Sequence, residues 1–214
     1  MSDQFELYDL ITAKQSGRLD KFTGIELTDI ILVVDAHNLK LAKTGMSRVG
    51  TVGFDIESNP TFIKGQKSKG PHLIQLATKS HVYLFHHSYL EGMKYAIGVL
   101  ADKEITKLGV GIGGDRKALR AKYKQDLVNC IDLGNVTKPL VKAKGIRFGV
   151  QSLVATFLNN RLSKSKRVQL SNWALLPYSD SQLLYAANDA YSLVKVWDEV
   201  SNKLITAEKR LENK

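Results

Sequence analysis

The sequence predicts an α/β domain in which helices cover a sheet, and three observations support this class. Strand-like and helix-like apolar periodicities alternate along the chain. Turn-forming residues separate these segments, with no internal repeat and no low-complexity linker. The length of 214 residues, with 43% hydrophobic and 24% charged residues, suits one ordinary globular unit. We therefore expect a single domain over residues 1–214, with a core over about 29–200.

The first half of the chain is predicted to contain a short strand and helix followed by a strand meander. Ser58-Asn-Pro60 ends the third of these segments, and Lys79-Ser80 turns the chain between the last two. These connections are too short for parallel crossovers, so adjacent antiparallel strands are expected. The expected elements are a strand over 30–34, a helix over 37–44, and strands over 52–57, 73–78 and 82–85.

The second half alternates helix and strand before it becomes wholly helical. Beyond Gly134 every periodic segment has helical spacing, and Ser179 to Gln182 supply cap residues before the last helix. The expected elements are helices over 90–100, 115–123, 149–158 and 180–200, with strands over 106–110 and 128–133. Six segments thus have strand character, and the pattern as a whole is interpreted as a mixed five-stranded sheet with helices on both faces and a helical C-terminal third.

The net charge of +10 is unevenly distributed. Residues 133–179 contain no Asp or Glu but eight Lys and Arg, and residues 58–90 contain no acid and four Lys. Such asymmetry favours a polyanionic partner over a merely solvated surface. An anionic membrane is disfavoured as the partner, because no amphipathic basic helix with an aromatic face stands out.

The sequence predicts an intracellular protein, cytoplasmic or nuclear, that is not secreted. Its first residues lack the basic and apolar regions of a secretory signal, and no apolar stretch approaches the roughly 20 residues of a membrane span. Cys130 is the single cysteine, so no intramolecular disulfide can form.

Two carboxylates occupy one face of the strand over 52–57. Asp55 and Glu57 are two residues apart, so both side chains leave the same side of the sheet, while Phe54 and Ile56 point to the other. Such a pair repels itself unless it shares a proton or binds a divalent cation. Oxygen ligands suit Mg²⁺ or Mn²⁺ rather than zinc. The alternative is an ordinary solvated face of an edge strand.

A glycine-rich turn suggests a different function, the binding of a dinucleotide. Gly109-Val-Gly111-Ile-Gly-Gly114 follows a predicted strand and opens a helix, as in dinucleotide-binding proteins, and Asp132 ends the next strand. However, Asp115 follows the third glycine directly, where its carboxylate would repel a pyrophosphate. The glycines are more simply explained by a tight turn, so we expect no dinucleotide cofactor.

Further acidic and aromatic residues lie later in the chain. Tyr185 and Asp189 are four residues apart on the last helix and share one face among small alanines. Taken alone, Asp115 has a sufficient explanation as a helix cap, Tyr185 as an interfacial aromatic, and Asp189 as a surface acid.

The ordered set of these segments resembles the three motifs of the DEDDy-type 3′→5′ exonuclease family, which belongs to the ribonuclease-H-like superfamily. The segments are Phe54-Asp55-Ile56-Glu57, then the run from Lys107 to Asp115, then Tyr185-Ala-Ala-Asn-Asp189. Ribonuclease D resembles the sequence less closely than other members of this family do. The resemblance implies a ribonuclease-H-like fold and hydrolysis of phosphodiester bonds from a free 3′ end, with release of nucleoside 5′-monophosphates.

The resemblance also implies roles for the matching residues. Two divalent ions, Mg²⁺ or Mn²⁺, would lie between the carboxylates and the scissile phosphate. Asp55 would bridge both ions, Glu57 and Asp189 would complete the site of the water-activating ion, and Asp115 would hold the second ion through water. Tyr185 would orient the attacking water, because a phenol with a pKa near 10 is a poor base.

Two basic segments flank these motifs and are expected to bind the nucleic-acid backbone. They contribute Lys64, Lys67 and Lys69 after the first motif and Lys164, Lys166 and Arg167 before the third. Leu73 and Trp173 are candidates for shaping the groove of the terminal nucleotide. The resemblance favours DNA as substrate. The alternatives are ribonuclease D-like trimming of RNA 3′ ends and a nucleic-acid-binding module without catalysis.

Overall fold

A computed structural model describes the backbone of residues 7–60, 70–143, 145 and 147–212, and side chains up to residue 205. Thirteen named elements follow one another along it, besides short 3-10 turns. They are β1 (Ile30–Val33), α1 (Ala36–Gly45), β2 (Thr51–Glu57), β3 (Leu73–Ala77), β4 (Val82–His86), α2 (Leu90–Ala101), β5 (Thr106–Gly109), α3 (Gly113–Tyr123), β6 (Cys130–Asp132), α4 (Leu133–Val136), α5 (Val150–Leu158), α6 (Lys166–Gln169) and α7 (Asp180–Glu212).

The strands form one mixed sheet in the order β1-β4-β3-β2-β5-β6. The predicted meander is confirmed, because β3 pairs antiparallel with both β2 and β4. The other three pairings are parallel. The predicted fold class is confirmed, but the sheet has six strands rather than five. All six segments that were predicted as strands join this sheet, with β1 at one edge in parallel pairing with β4, its Ile30 opposite Val82.

The core lies on both faces of this sheet. One face carries α5 and α7, and its cluster includes Leu84, Leu108 and Val154, all fully buried. The opposite face carries α1, α2 and α3. Helices on both faces and a helical C-terminal part are therefore confirmed. None of the helices in the described part of the chain has the length and apolar character that a membrane span needs.

Several element boundaries differ from those predicted. Strand β6 begins at Cys130 rather than at residue 128, because Asn129 has a positive φ of 51° that interrupts an extended backbone. The helix predicted over 115–123 begins two residues earlier, at Gly113. The last helix continues beyond residue 200 to Glu212.

Helix α7 packs closely on the centre of the sheet at β2. Gly53 makes this approach possible, because a Cβ atom there would lie 2.1 Å from the backbone oxygen of Ala190. Ala186, Ala187 and Ala190 are fully buried on the same helix. Small residues on both sides therefore bring β2 and α7 close together around Gly53 and Ala190.

Candidate active site

The alternation of β2 places its two acids toward α7. Phe54 is buried on the opposite side of the sheet, in the cluster formed with α1, α2 and α3. Asp55 and Glu57 consequently share the face of Gly53, the residue that contacts α7. Both carboxylates thus extend from a central strand that is hydrogen-bonded to neighbours on both sides.

Gln75 lies opposite Asp55 on β3 and shares its face of the sheet. Its side chain is fully buried, and among the described residues neither atom of its amide group has a hydrogen-bond partner. Buried polar groups are rarely left unsatisfied. The Gln75 amide is therefore an unpaired buried polar group on the same face of the sheet as Asp55.

Asp189 completes a group of three carboxylates. Ligand atoms of Asp55, Glu57 and Asp189 lie within 4.8 Å of one another. Asp189 is only 3% exposed, and α7 fixes its position against β2. Three carboxylate oxygens at this spacing on rigid elements are a donor set for a hard divalent cation. The residues therefore fit a hard divalent cation such as Mg²⁺ or Mn²⁺.

Asp115 approaches the same site from the first turn of α3. It is not one of the three residues of the close group, but the charge of Asp55 is one of the causes of the raised pKa of Asp115. Asp132 braces the preceding turn, since its carboxylate accepts hydrogen bonds from the backbone N–H groups of Gly111 at 3.1 Å and Gly134 at 3.0 Å. Gly111 has a φ of +66°, which favours glycine. The sequence pattern places Asp132 only as the acid that follows the glycine-rich motif of dinucleotide-binding proteins.

Burial and mutual repulsion make these carboxylates hard to ionise. Burial, and then the charges of Asp55 and Asp189, raise the pKa of Glu57 to about 9. Burial and then the charges of Asp55 and Asp132 raise the pKa of Asp115 to about 7. Burial also raises the pKa of Asp55 and of Asp189. A bound cation would relieve this repulsion, which supports the metal-site interpretation.

Lys164 lies inside the carboxylate site rather than at its rim. Its Nζ atom is 2.7 Å from Oδ2 of Asp189 and 5.1 Å from the centre of the Tyr185 ring. Burial lowers the pKa of Lys164, but the ion pair with Asp189 outweighs burial and the pKa is raised. The sequence pattern places Lys164 among the basic residues expected to bind the nucleic-acid backbone and does not indicate this ion pair.

Tyr185 stands one turn before Asp189 and is largely buried, with 7% of its surface exposed. Burial and then the charge of Asp189 raise the pKa of its phenol, so the hydroxyl keeps its proton at neutral pH. Trp173 packs against it, with ring centroids 6.0 Å apart. The candidate role of Trp173 and Leu73 in shaping the groove is wrong, because both side chains are fully buried in the core.

A cavity of about 200 Å³ opens at the carboxylates. Its walls come from β2, from the turn after β5, from the start of α5 and from α7, with Lys164 at one side. Lys166 and Arg167 are exposed on the short helix α6, which begins two residues after Lys164. The other predicted backbone contacts, Lys64, Lys67 and Lys69, lie outside the described residues.

The fold and the carboxylate group match those of ribonuclease H-like exonucleases of the DEDD type, and the comparison with family models and relatives identifies this class of protein. The model of the 3′-5′ exonuclease family matches residues 26–205. The chain therefore belongs to the 3′-5′ exonuclease family, whose members are hydrolases that use divalent metal ions.

Individual relatives agree with this assignment. The mouse bifunctional 3′-5′ exonuclease/ATP-dependent helicase WRN is 32% identical over 161 residues, which cover 73% of this chain and 11% of that protein. A 3′-5′ exonuclease of Arabidopsis thaliana is 30% identical over 154 residues, which cover 70% of this chain and 52% of that protein. The chain thus spans about half or less of the length of these relatives.

Solved structures show the same fold at lower identity. The Nibbler EXO domain of Aedes aegypti superposes with a TM-score of 0.72 at 22% identity, over 88% of this chain and 96% of that one. Trypanosoma brucei RNase D in complex with RNA U12 superposes with a TM-score of 0.68 at 22% identity, over 79% of this chain and 61% of that one.

Proposed function

We propose that the chain is a metal-dependent 3′→5′ exonuclease that acts on DNA and releases nucleoside 5′-monophosphates. The observation that carries the proposal is the group of three carboxylates within 4.8 Å, on a central strand and a closely packed helix. Family membership supports the reaction class, and the sequence resemblance favours DNA over RNA.

The site residues divide into ligands and a positioning group. Asp55, Glu57 and Asp189 would hold one divalent ion directly, and Asp55 and Asp115 a second. Bound Mg²⁺ or Mn²⁺ supplies a water nucleophile near neutral pH and stabilises charge on the leaving 3′ oxygen. Tyr185 keeps its phenolic proton and orients the attacking water by a hydrogen bond. Its raised pKa argues against a role as general base.

The preference for DNA over RNA is tested with two 5′-labelled oligonucleotides that differ only in the sugar of the 3′-terminal nucleotide, which is deoxyribose in one and ribose in the other. The proposal expects faster release of the deoxynucleotide, and mass spectrometry should identify it as the 5′-monophosphate. Faster release of the ribonucleotide would instead favour RNA trimming of the ribonuclease D kind. Binding without release of either would indicate a non-catalytic module.

The basic segments are proposed to hold the nucleic-acid backbone. Lys166→Ala together with Arg167→Ala should weaken binding to all sequences alike and make the log–log salt dependence of affinity less steep by about 1.5 units, because each lost phosphate contact contributes about 0.7–0.9. The triple variant of Lys64, Lys67 and Lys69 should make it less steep by about 2 units if all three side chains contact phosphates. Lys40→Ala is a matched control, since Lys40 is exposed on α1, on the other side of the sheet. If the affinity for nucleic acid and its salt dependence were unchanged, these side chains would be exposed to solvent without contacting the nucleic acid.

A further inference from the structure

Lys164 occupies a fixed position rather than that of a mobile surface lysine. On its N-terminal side, Leu162 is buried, and its carbonyl accepts a hydrogen bond of 3.0 Å from the Gln151 side chain. Arg161 is held by backbone hydrogen bonds to Asp20 and Phe22. The segment that carries Lys164 is therefore anchored to α5 and to the N-terminal segment.

The C-terminal side of the same segment is fixed as well. Ser165 caps α6, with its hydroxyl accepting from the N–H of Val168, and Val168 is buried. The backbone is thus fastened on both sides of Lys164, and the lysine side chain is only 22% exposed. This arrangement directs one ammonium group into the carboxylate site, whereas Lys166 and Arg167 remain exposed.

The contacts of Lys164 differ from those of a phosphate-binding lysine. Its ammonium pairs with Oδ2 of Asp189, a carboxylate that is itself 4% exposed and that belongs to the proposed metal ligands. It also lies over the ring of Tyr185, at 5.1 Å from the centroid. One cation thereby contacts both functional side chains of α7.

We propose that Lys164 is a positioning residue, the built-in counter-ion of Asp189, which orders Asp189 and Tyr185 before a divalent ion binds and competes with that ion for the carboxylate. This inference rests on the proposed function, because it assigns Asp189 to the metal site. Removing the ammonium should therefore have two opposite effects. Metal should bind more tightly, because a competing positive charge is gone, while turnover should fall, because two side chains lose their alignment.

The test compares Lys164→Met, which keeps the length of the side chain without its charge, with Lys164→Arg and with Lys166→Met as matched control. Binding of Mn²⁺ is measured by the electron paramagnetic resonance of the free ion, and kcat and KM are measured separately. For Lys164→Met, we expect about tenfold tighter Mn²⁺ binding, kcat at least tenfold lower, and little change in KM. Lys164→Arg should retain near wild-type Mn²⁺ affinity. Lys166→Met should change KM alone.

Unchanged or weaker Mn²⁺ binding by Lys164→Met, or a loss confined to KM, would overturn the proposal and make Lys164 a phosphate contact. A double-mutant cycle of Lys164→Met and Asp189→Asn in the metal-free protein separates this outcome from failure of the exonuclease proposal. A favourable coupling in the melting temperatures supports the ion pair even if no cleavage is seen. Absence of coupling would refute the pair whether or not the protein is an exonuclease.

Discussion

The replacement Gly53→Ala should damage the proposed site without touching any proposed ligand. A Cβ atom at this position would lie 2.1 Å from the backbone oxygen of Ala190 and 3.1 Å from Cγ2 of Val194, whereas such contacts essentially never fall below 3.0 Å. A backbone oxygen cannot rotate away as a side chain can. Helix α7 must therefore retreat from β2 by roughly 1 Å, a shift that can cost on the order of 100-fold in rate when it displaces reacting groups.

Asp189 is the neighbour of Ala190, and Asp55 lies two residues beyond Gly53, so this retreat would separate carboxylates that now lie within 4.8 Å. We expect kcat to fall about 100-fold, Mn²⁺ binding to weaken, and the free energy of unfolding to fall by about 1–3 kcal/mol. Single-turnover release of the terminal nucleotide measures the first effect, and denaturant unfolding measures the last.

The matched control is Gly98→Ala. Gly98 is exposed within α2, and no atom lies within 4 Å of the Cβ that alanine would add. This variant should keep full activity and gain about 0.5–1 kcal/mol of stability. If Gly53→Ala kept a kcat within threefold of wild type, the close approach of α7 to β2 would not determine the geometry of the site.

Two other predictions concern the charges of the site. The pKa of Glu57 is raised to about 9 from an ordinary value of 4.5, so the metal-free folded state favours the protonated carboxyl group. The contribution of Glu57 to the stability of this state is therefore fully present below about pH 4.5 and is lost as the pH rises toward 9, where the side chain must ionise. The rise in melting temperature on adding Mg²⁺ should consequently increase from pH 6 to pH 9, and less so in Asp189→Asn; a rise that is independent of pH would contradict the assignment. Asp132→Ala should release the N–H groups of Gly111 and Gly134, lower stability by about 1 kcal/mol, and raise the Mg²⁺ concentration needed for half-maximal activity, with Asp132→Asn intermediate. An unchanged Mg²⁺ dependence would show that Asp132 does not support the turn before Asp115.

Local rules were sufficient to predict the pairs of site residues within single elements. The two-residue period of a strand placed Asp55 and Glu57 on one face, and the spacing of four placed Tyr185 and Asp189 on one side of a helix. The short connections around β3 predicted the antiparallel meander, which the pairings confirm. The resemblance of the ordered motifs then identified the family that the comparison establishes.

Features that depend on contacts between distant segments were not predictable in the same way. The parallel pairing of β1 with β4 joins strands separated by about fifty residues, and no local pattern specifies it. Trp173 was a candidate for the groove, yet tertiary packing buries it behind Tyr185. The ion pair of Lys164 and Asp189 likewise depends on the path of the segment before α6, which the sequence pattern leaves open.

The most direct test of the central claim follows the shortening of a 5′-labelled oligonucleotide with Mg²⁺ or Mn²⁺, beside Asp55→Asn and Asp189→Asn variants whose folding is verified by their melting temperatures. The account predicts a descending ladder of labelled products with the wild-type protein. EDTA and either substitution should abolish it, because the carboxylates of both residues are proposed ligands of the metal. Intact oligonucleotide with the wild-type protein and either metal, or an undiminished ladder from Asp55→Asn, would contradict the account.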